Sequence, residues 1–185
     1  MKKTLLSIAL LSTISFSSIA EPVDGDHSSA SVKWAGASVI IPGDSMTIIG
    51  ENGSWTPNDG EVKVAADGTF TSVESVILES HEYSDKDGDG VKDIGELYDT
   101  NWSLDASKPV LISWGENVIS GMDAKVIDLN SGVELTANSG PELTSLVSLA
   151  VINESATTTP AINPQEKLEV NATVISSVVK GSPRG

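Results

Sequence analysis

Five acidic side chains recur at regular spacing within one short segment of this 185-residue chain. Residues 85–96 read Asp-Lys-Asp-Gly-Asp-Gly-Val-Lys-Asp-Ile-Gly-Glu, which is the D-x-D-x-D-G-x5-E spacing of a calcium-binding loop. Calcium takes about six to eight oxygen ligands, and a loop of this length supplies them when alternate side chains turn inward. The segment therefore predicts one calcium site.

Each position in this segment has an expected role. The acidic side chains supply carboxylates, Asp93 acts directly or through a water, and Glu96 closes the far side with both oxygens. Val91 offers its backbone carbonyl, and Gly90 takes the sharp turn. The alternative is a solvated acidic turn, because Asp and Gly are the commonest turn residues. The predicted ligands, in chain order, are Asp85, Asp87, Asp89, Val91, Asp93 and Glu96.

The acidic segment stands alone and has strands on either side. Lys92 follows Val91, where a paired EF-hand loop normally has an apolar residue, and the sequence has no second segment of this kind. The flanking stretches 70–78 and 102–104 have strand-like patterns and do not resemble long amphipathic helices. The segment therefore resembles the single Asp-rich loops of thrombospondin type 3 and dockerin repeats, here inserted between two strands in a structural role.

The first twenty residues have the organisation of a secretory signal peptide. Lys2 and Lys3 precede an apolar stretch at 5–11, and Ser18-Ile-Ala20 matches a small-x-small cleavage site. We therefore expect an exported protein whose mature chain begins at Glu21. The apolar stretch is too short to span a membrane, and no later stretch approaches the ~18 consecutive apolar residues that a membrane helix needs.

The expected mature chain is strongly acidic and contains no cysteine. Without residues 1–20, it has 9 basic and 26 acidic residues and a formal charge of −17. Such a surface repels phosphate and attracts divalent cations, so we expect no nucleic-acid partner. Because there is no cysteine, the exported chain must be stabilised by its core, by metal or by neighbouring subunits instead of disulfides.

Short apolar or alternating stretches, separated by Gly, Asn, Asp and Pro turns, extend along the mature chain. This pattern is typical of an all-β protein, and the number of strands predicts one β-sandwich domain at 29–180. Residues 21–28 form an expected flexible lead and 181–185 a flexible tail. The stretch 141–151 also fits helical spacing. The predicted strands are 30–41, 45–50, 61–65, 69–79, 101–105, 109–114, 123–129, 144–152 and 166–179.

The residues needed for the common hydrolytic sites are scarce, so we do not expect an enzyme. Cysteine is absent, and the two histidines are His27, in the lead, and His81, beside the acidic segment. No serine lies in a G-x-S-x-G turn. Carboxylate pairs are more simply explained as a solvated acidic surface. We expect His81 to be a partly exposed polar residue.

The four tryptophans fall into two groups. Trp34 and Trp114 lie in alternating or apolar stretches and are predicted to belong to a core or an interface. Trp55 lies in a Gly/Ser/Pro loop, and Trp102 follows the acidic segment, so these two are the candidate ligand contacts, for example for carbohydrate. The alternative for both is partial burial under a loop.

Both ends of the mature chain carry alternating strand patterns. Ala30, Val32 and Trp34 alternate with polar residues. This strand either completes the sheet of a neighbouring subunit or is an ordinary first strand. The stretch 168–174 alternates in the same way and has the pattern of a closing strand with one buried face.

The layout of the chain resembles the major subunits of chaperone–usher fimbriae of the CS1/CFA and common-pilus types. The residues behind this resemblance are the dilysine signal peptide, the alternating strand near 30–35, the segment Ile112-Ser-Trp-Gly115 and the terminal alternating strand. The resemblance implies an incomplete immunoglobulin-like fold and a periplasmic chaperone that lends a strand. It also implies an usher, and exchange of residues 29–36 between subunits of a fibre.

These patterns predict an exported, non-catalytic structural or adhesive subunit that binds one calcium ion. It would pass through the periplasm to the cell surface and assemble with itself or with other fimbrial subunits. The alternative is a self-contained calcium-stabilised extracellular module that binds a ligand such as carbohydrate, and a secreted hydrolase is a third. A fimbrial subunit made without its chaperone should be unstable or should polymerise, whereas a binding module should purify as a folded monomer.

Overall fold

A computed structural model describes residues 27–34, 39–108, 110–156 and 167–179. The predicted signal peptide, most of the lead and the tail lie outside these residues. The described chain is all-β, with one short 3-10 turn at Glu51–Gly53, so the predicted class is confirmed. The strands are β1 (His27–Trp34), β2 (Val39–Ile41), β3 (Met46–Gly50), β4 (Glu61–Val64), β5 (Phe70–Glu74), β6 (Val76–Ser84), β7 (Asp93–Leu97), β8 (Asn101–Leu104), β9 (Leu111–Trp114), β10 (Asn117–Val118), β11 (Lys125–Asp128), β12 (Glu134–Leu135), β13 (Leu146–Asn153) and β14 (Leu168–Ser177).

The strands form two antiparallel sheets, consistent with a β-sandwich. The first sheet has the order β10-β9-β14-β1-β2, and β8 also pairs with β14. The second has the order β12-β11-β13-β5-β4, and β6 pairs with β13, β3 and β7. Residues 141–151, which fit both helical and strand spacing, contribute to β13, because strands on both of its edges satisfy its backbone hydrogen bonds.

The terminal strand β14 is paired along both edges. On one edge, β9 pairs with Leu168–Asn171 and β8 with Val174–Ser177. On the other edge, β1 runs antiparallel to β14 for eight residues, from His27 opposite Ser177 to Trp34 opposite Val170. In the single chain, the N-terminal strand is therefore paired within its own sheet.

An apolar core fills the space between the two sheets. Trp34 and Trp114, predicted as core or interface residues, are both buried in it. Three hydroxyl groups form a buried network, in which Ser176 donates to Thr100 at 2.6 Å and Thr100 donates to Ser80 at 3.2 Å. Among the described residues, no helix is long and apolar enough to cross a membrane.

Candidate metal site and the adjoining surface

A β-hairpin holds the two ends of the acidic segment close together. The strand β6 ends at Ser84, which lies opposite Asp93, the first residue of β7. The predicted strand 69–79 is divided into β5 and β6, and β6 extends five residues beyond the predicted end, where β3 and β7 pair with it on either edge. Residues 85–92 thus connect two paired strands, and residues 93–96 of the predicted loop belong to β7, a strand absent from the predicted set, which had the next strand at 101–105.

Three of the predicted ligands come together in this connection. Carboxylate oxygens of Asp85, Asp87 and Asp89 all lie within 4.8 Å of one another, and all three residues are exposed. Such a group could hold a metal ion, because three carboxylates at this spacing can share one cation. Exposed acidic groups are also common without an ion.

Backbone amides of the loop hold these carboxylates in place. The two oxygens of Asp85 accept hydrogen bonds from the amides of Gly88 at 2.7 Å and Gly90 at 2.9 Å. The Asp89 carboxylate accepts from the Val91 amide at 2.7 Å. Gly88 and Gly90 have φ values of 76° and 87°, which a residue with a Cβ rarely adopts, so the loop depends on glycine at both positions.

The other acidic residues of the segment lie outside the group. Within the described residues, the cluster comprises Asp85, Asp87 and Asp89, whereas Asp93 and Glu96 belong to β7. In the ladder between β6 and β7, Asp93 lies opposite Ser84, and the register shifts between His81 and Tyr83. Ligation by Val91, Asp93 and Glu96 stays a prediction.

An aromatic and cationic cluster lies beside the acidic loop. The rings of Trp55 and Tyr83 meet edge to face at 5.9 Å between centroids, and the ammonium of Lys92 lies 5.5 Å from the Tyr83 centroid. Lys92 also donates to the carbonyl oxygen of Asp44. These contacts connect the acidic loop to two other loops of the chain.

His81 and Glu79 form a second connection on the same strand. The Nε2 atom of His81 lies 3.0 Å from Oε2 of Glu79, and both side chains are 12% exposed. Glu79 also accepts hydrogen bonds from the amides of Asn52 and Gly53. Burial raises the pKa of Glu79, but the hydrogen bonds from His81 and the two amides outweigh this effect, and the net pKa is lowered.

The two candidate ligand tryptophans have different environments. Trp102 is 1% exposed and its Nε1 donates to the carbonyl of Thr144 at 2.8 Å, so it presents no ring face to a ligand and the surface-contact prediction is corrected for this residue. Trp55 is 48% exposed. Its neighbour Tyr83, and Lys92 beyond it, were not among the predicted site residues. Extending the alternation of strand 69–79 to residue 83 would have placed Tyr83 on the strand.

The predicted assembly strand is β1. Ala30 and Val32 lie opposite Val174 and Ala172 of β14, both of which are buried. Trp34, at the end of the strand, is 1% exposed and lines a cleft of about 400 Å³ together with Gly60 and Leu168. The end of β1 therefore belongs to the core of the domain.

Comparisons of the chain with protein-family models, curated proteins and solved structures give no match.

Proposed function

We propose that this protein is an exported, non-catalytic structural or adhesive subunit of a surface fibre, with β1 as the strand that subunits exchange. The feature on which this proposal rests is the length of the β1–β14 ladder, eight antiparallel residue pairs that a strand from another copy could form as well as β1 of the same chain. The strand β1 comes first in the described chain, and residues 35–38 join it to β2. A terminal strand with these contacts can be supplied by the same chain or by an identical neighbour.

The neighbours of β1 explain why a donated strand would bind tightly. One edge of β1 pairs with β14 and the other with the short strand β2. Without β1, a row of backbone groups on β14 would lose its hydrogen-bond partners, and buried residues such as Val170 and Val174 would lose cover. A strand from another copy would restore both kinds of contact. Fibre growth through a periplasmic chaperone and an usher belongs to the same proposal.

One calcium ion at Asp85, Asp87 and Asp89 forms part of the proposed function. Its role is structural, because the cluster lies in the connection between β6 and β7, and Lys92 of the same connection donates to the carbonyl oxygen of Asp44. With bound calcium the mutual repulsion of the carboxylates is relieved, and the hairpin is stabilised.

The experiment compares two chains that differ in the source of the strand. The first is the mature chain from Glu21, and the second has residues 29–36 moved from its N-terminus to a position after 166–179 through a short flexible linker. We expect the first to polymerise on concentration and the second to be a stable monomer, as measured by light scattering. A mature chain that stays monomeric and folded at high concentration would contradict the fibre proposal.

The second candidate is a self-contained calcium-stabilised binding module, and two observations favour it. The strand β1 is already paired within its own chain, and Trp55 exposes about half of its surface while Tyr83 supports its ring. An indole held in this way can stack on the apolar face of a sugar ring. Binding of oligosaccharides to the monomer, lost on Trp55→Ala, would favour this candidate.

A further inference from the structure

The side chain of His81 lies between two hydrogen-bond acceptors. Its Nδ1 is 2.9 Å from the carbonyl oxygen of Gly95 on β7, and its Nε2 is 3.0 Å from Oε2 of Glu79. A carbonyl oxygen accepts and cannot donate, so Nδ1 must carry a proton. A neutral imidazole has a single N–H, which this bond already uses.

The second bond therefore requires one more proton. Glu79 accepts backbone N–H bonds on both oxygens, from Asn52 at 3.2 Å and from Gly53 at 3.4 Å. These bonds favour the ionised carboxylate, which can only accept. With Glu79 ionised, both nitrogens of His81 must donate, and the ring is an imidazolium.

From this geometry we infer that protonated His81 is a pH-dependent cross-link between the Trp55-bearing loop and the strand β7. Through Glu79 it holds the turn at Asn52 and Gly53, and through Gly95 it holds β7. When the pH rises and the ring loses a proton, one N–H remains for two acceptors, so one of the two bonds breaks.

The charged surroundings of His81 act in the same direction. On β6, Glu79 and Tyr83 share the face of His81, and Glu82 lies on the opposite face. The other titratable residues on the elements around it are Asp93 and Glu96 on β7, Glu51 in the 3-10 turn, and Lys92 in the acidic loop. The strand β3 places Thr47 opposite His81 and carries no titratable side chain. Most of these groups are carboxylates, which attract an imidazolium.

Nitrogen NMR of the histidine ring provides a direct test in the mature protein. The His27→Gln variant leaves His81 as the single histidine, so its ring signals can be assigned without ambiguity. At pH 5.5 we expect both ring nitrogens to be protonated. On raising the pH, loss of one N–H should coincide with shifts of the Asn52, Gly53 or Gly95 amide signals. A neutral ring at pH 5.5, or a ring titration that leaves all three amides unchanged, would overturn the inference.

A Glu79→Gln variant gives a matched test that changes the charge and keeps the shape. The side-chain amide introduced at this position can donate to Nε2, so a neutral ring can keep both bonds and the pH response should vanish. In the wild type, amide hydrogen exchange at Asn52 or Gly95 should accelerate by about ten-fold beyond the intrinsic pH effect when one charge-assisted bond is lost. An equal pH response in wild type and variant would contradict the cross-link. If the Glu79→Gln variant folds poorly, the NMR of the His81 ring in the His27→Gln protein still tests the cross-link.

Discussion

The indole of Trp34 packs directly over the Cα atom of Gly60. A Cβ at position 60 would lie 2.1 Å from Cδ1 and 2.4 Å from Nε1 of Trp34, far inside van der Waals contact. Gly60 precedes β4 of one sheet, and Trp34 ends β1 of the other. The glycine therefore sets how closely the N-terminal strand can approach the facing sheet.

We expect Gly60→Ala to lower the free energy of unfolding by about 1–3 kcal/mol, because the added methyl group overpacks the core against the indole. Denaturant unfolding would measure the change. Asp59→Ala, an exposed neighbour, is the control and should change stability by less than about 0.5 kcal/mol. Combining Gly60→Ala with Trp34→Ala should cost less than the sum of the single changes, since the clash disappears. Strict additivity would contradict the contact.

A charge in β1 should abolish fibre formation. Trp34→Asp places a carboxylate at a buried position, where an unpaired charge is strongly unfavourable, and Val32→Asp places one opposite Ala172 on the apolar side of the predicted alternation. Ser31→Asp is the control, because residue 31 is next to residue 32 in the strand and belongs to the opposite face of the predicted alternation. We expect it to reduce fibre formation much less. Electron microscopy of fibres would score the three variants. Equal effects of Ser31→Asp and Val32→Asp would argue against strand exchange.

Calcium should stabilise the protein by mass action. At a hundred-fold excess over Kd, an ion that binds only the folded chain adds about 2.7 kcal/mol. Chelation should reverse the increase in Tm, and Asp85→Ala together with Glu96→Ala should remove it. Asp123→Asn, an exposed acid outside the cluster, is the charge control. If Asp85→Ala alone removes the response and Glu96→Ala leaves it, the three-aspartate cluster is the binding site. A Tm that is unchanged by both chelator and calcium would refute the site.

Asp128 should be important for stability. It is 1% exposed and accepts hydrogen bonds from the amides of Ser131 at 3.0 Å and Ser148 at 2.8 Å, and from the Ser131 hydroxyl at 2.6 Å. Asp128→Ala would leave these donors without a partner, so we expect a loss of about 3 kcal/mol or more in thermal or denaturant unfolding. Asp123→Ala serves as the exposed comparison, and a loss below about 1 kcal/mol for Asp128→Ala would contradict this role.

Acid should weaken the fold through Glu79. Its folded-state pKa is held below the ordinary value of 4.5, so the unfolded chain binds more protons near this pH. The stabilisation is fully present above pH 4.5 and is lost as the pH falls through the lowered folded pKa. Unfolding free energies measured from about pH 3 to about pH 6 should therefore have a smaller pH slope in Glu79→Gln than in the wild type. Identical slopes in the two proteins would mean that Glu79 does not contribute to the pH dependence of the unfolding free energy.

Local patterns were enough to predict the strand content and the loop carboxylates. The alternation of apolar and polar residues in a strand involves only neighbouring positions. The spacing of Asp85, Asp87 and Asp89 likewise favours a local loop conformation, so both features can be predicted from the sequence. Several predicted strands lie close to their observed bounds, among them Met46–Gly50 and Leu168–Ser177. The helix alternative at 141–151 could not be decided locally, because strands from elsewhere in the chain pair with β13.

Other features depend on contacts between residues that are far apart in the chain. Trp102 donates to the carbonyl of Thr144, 42 residues away, and His81 meets the carbonyl of Gly95 because β7 pairs with β6. Among the described residues the metal-binding group comprises Asp85, Asp87 and Asp89, and Glu96 lies in β7. No periodicity encodes which strand pairs with which, or where a register shifts, because those outcomes follow from packing over the whole domain. The tertiary structure therefore decided the environment of each candidate residue, whereas the sequence had already specified its type and local spacing.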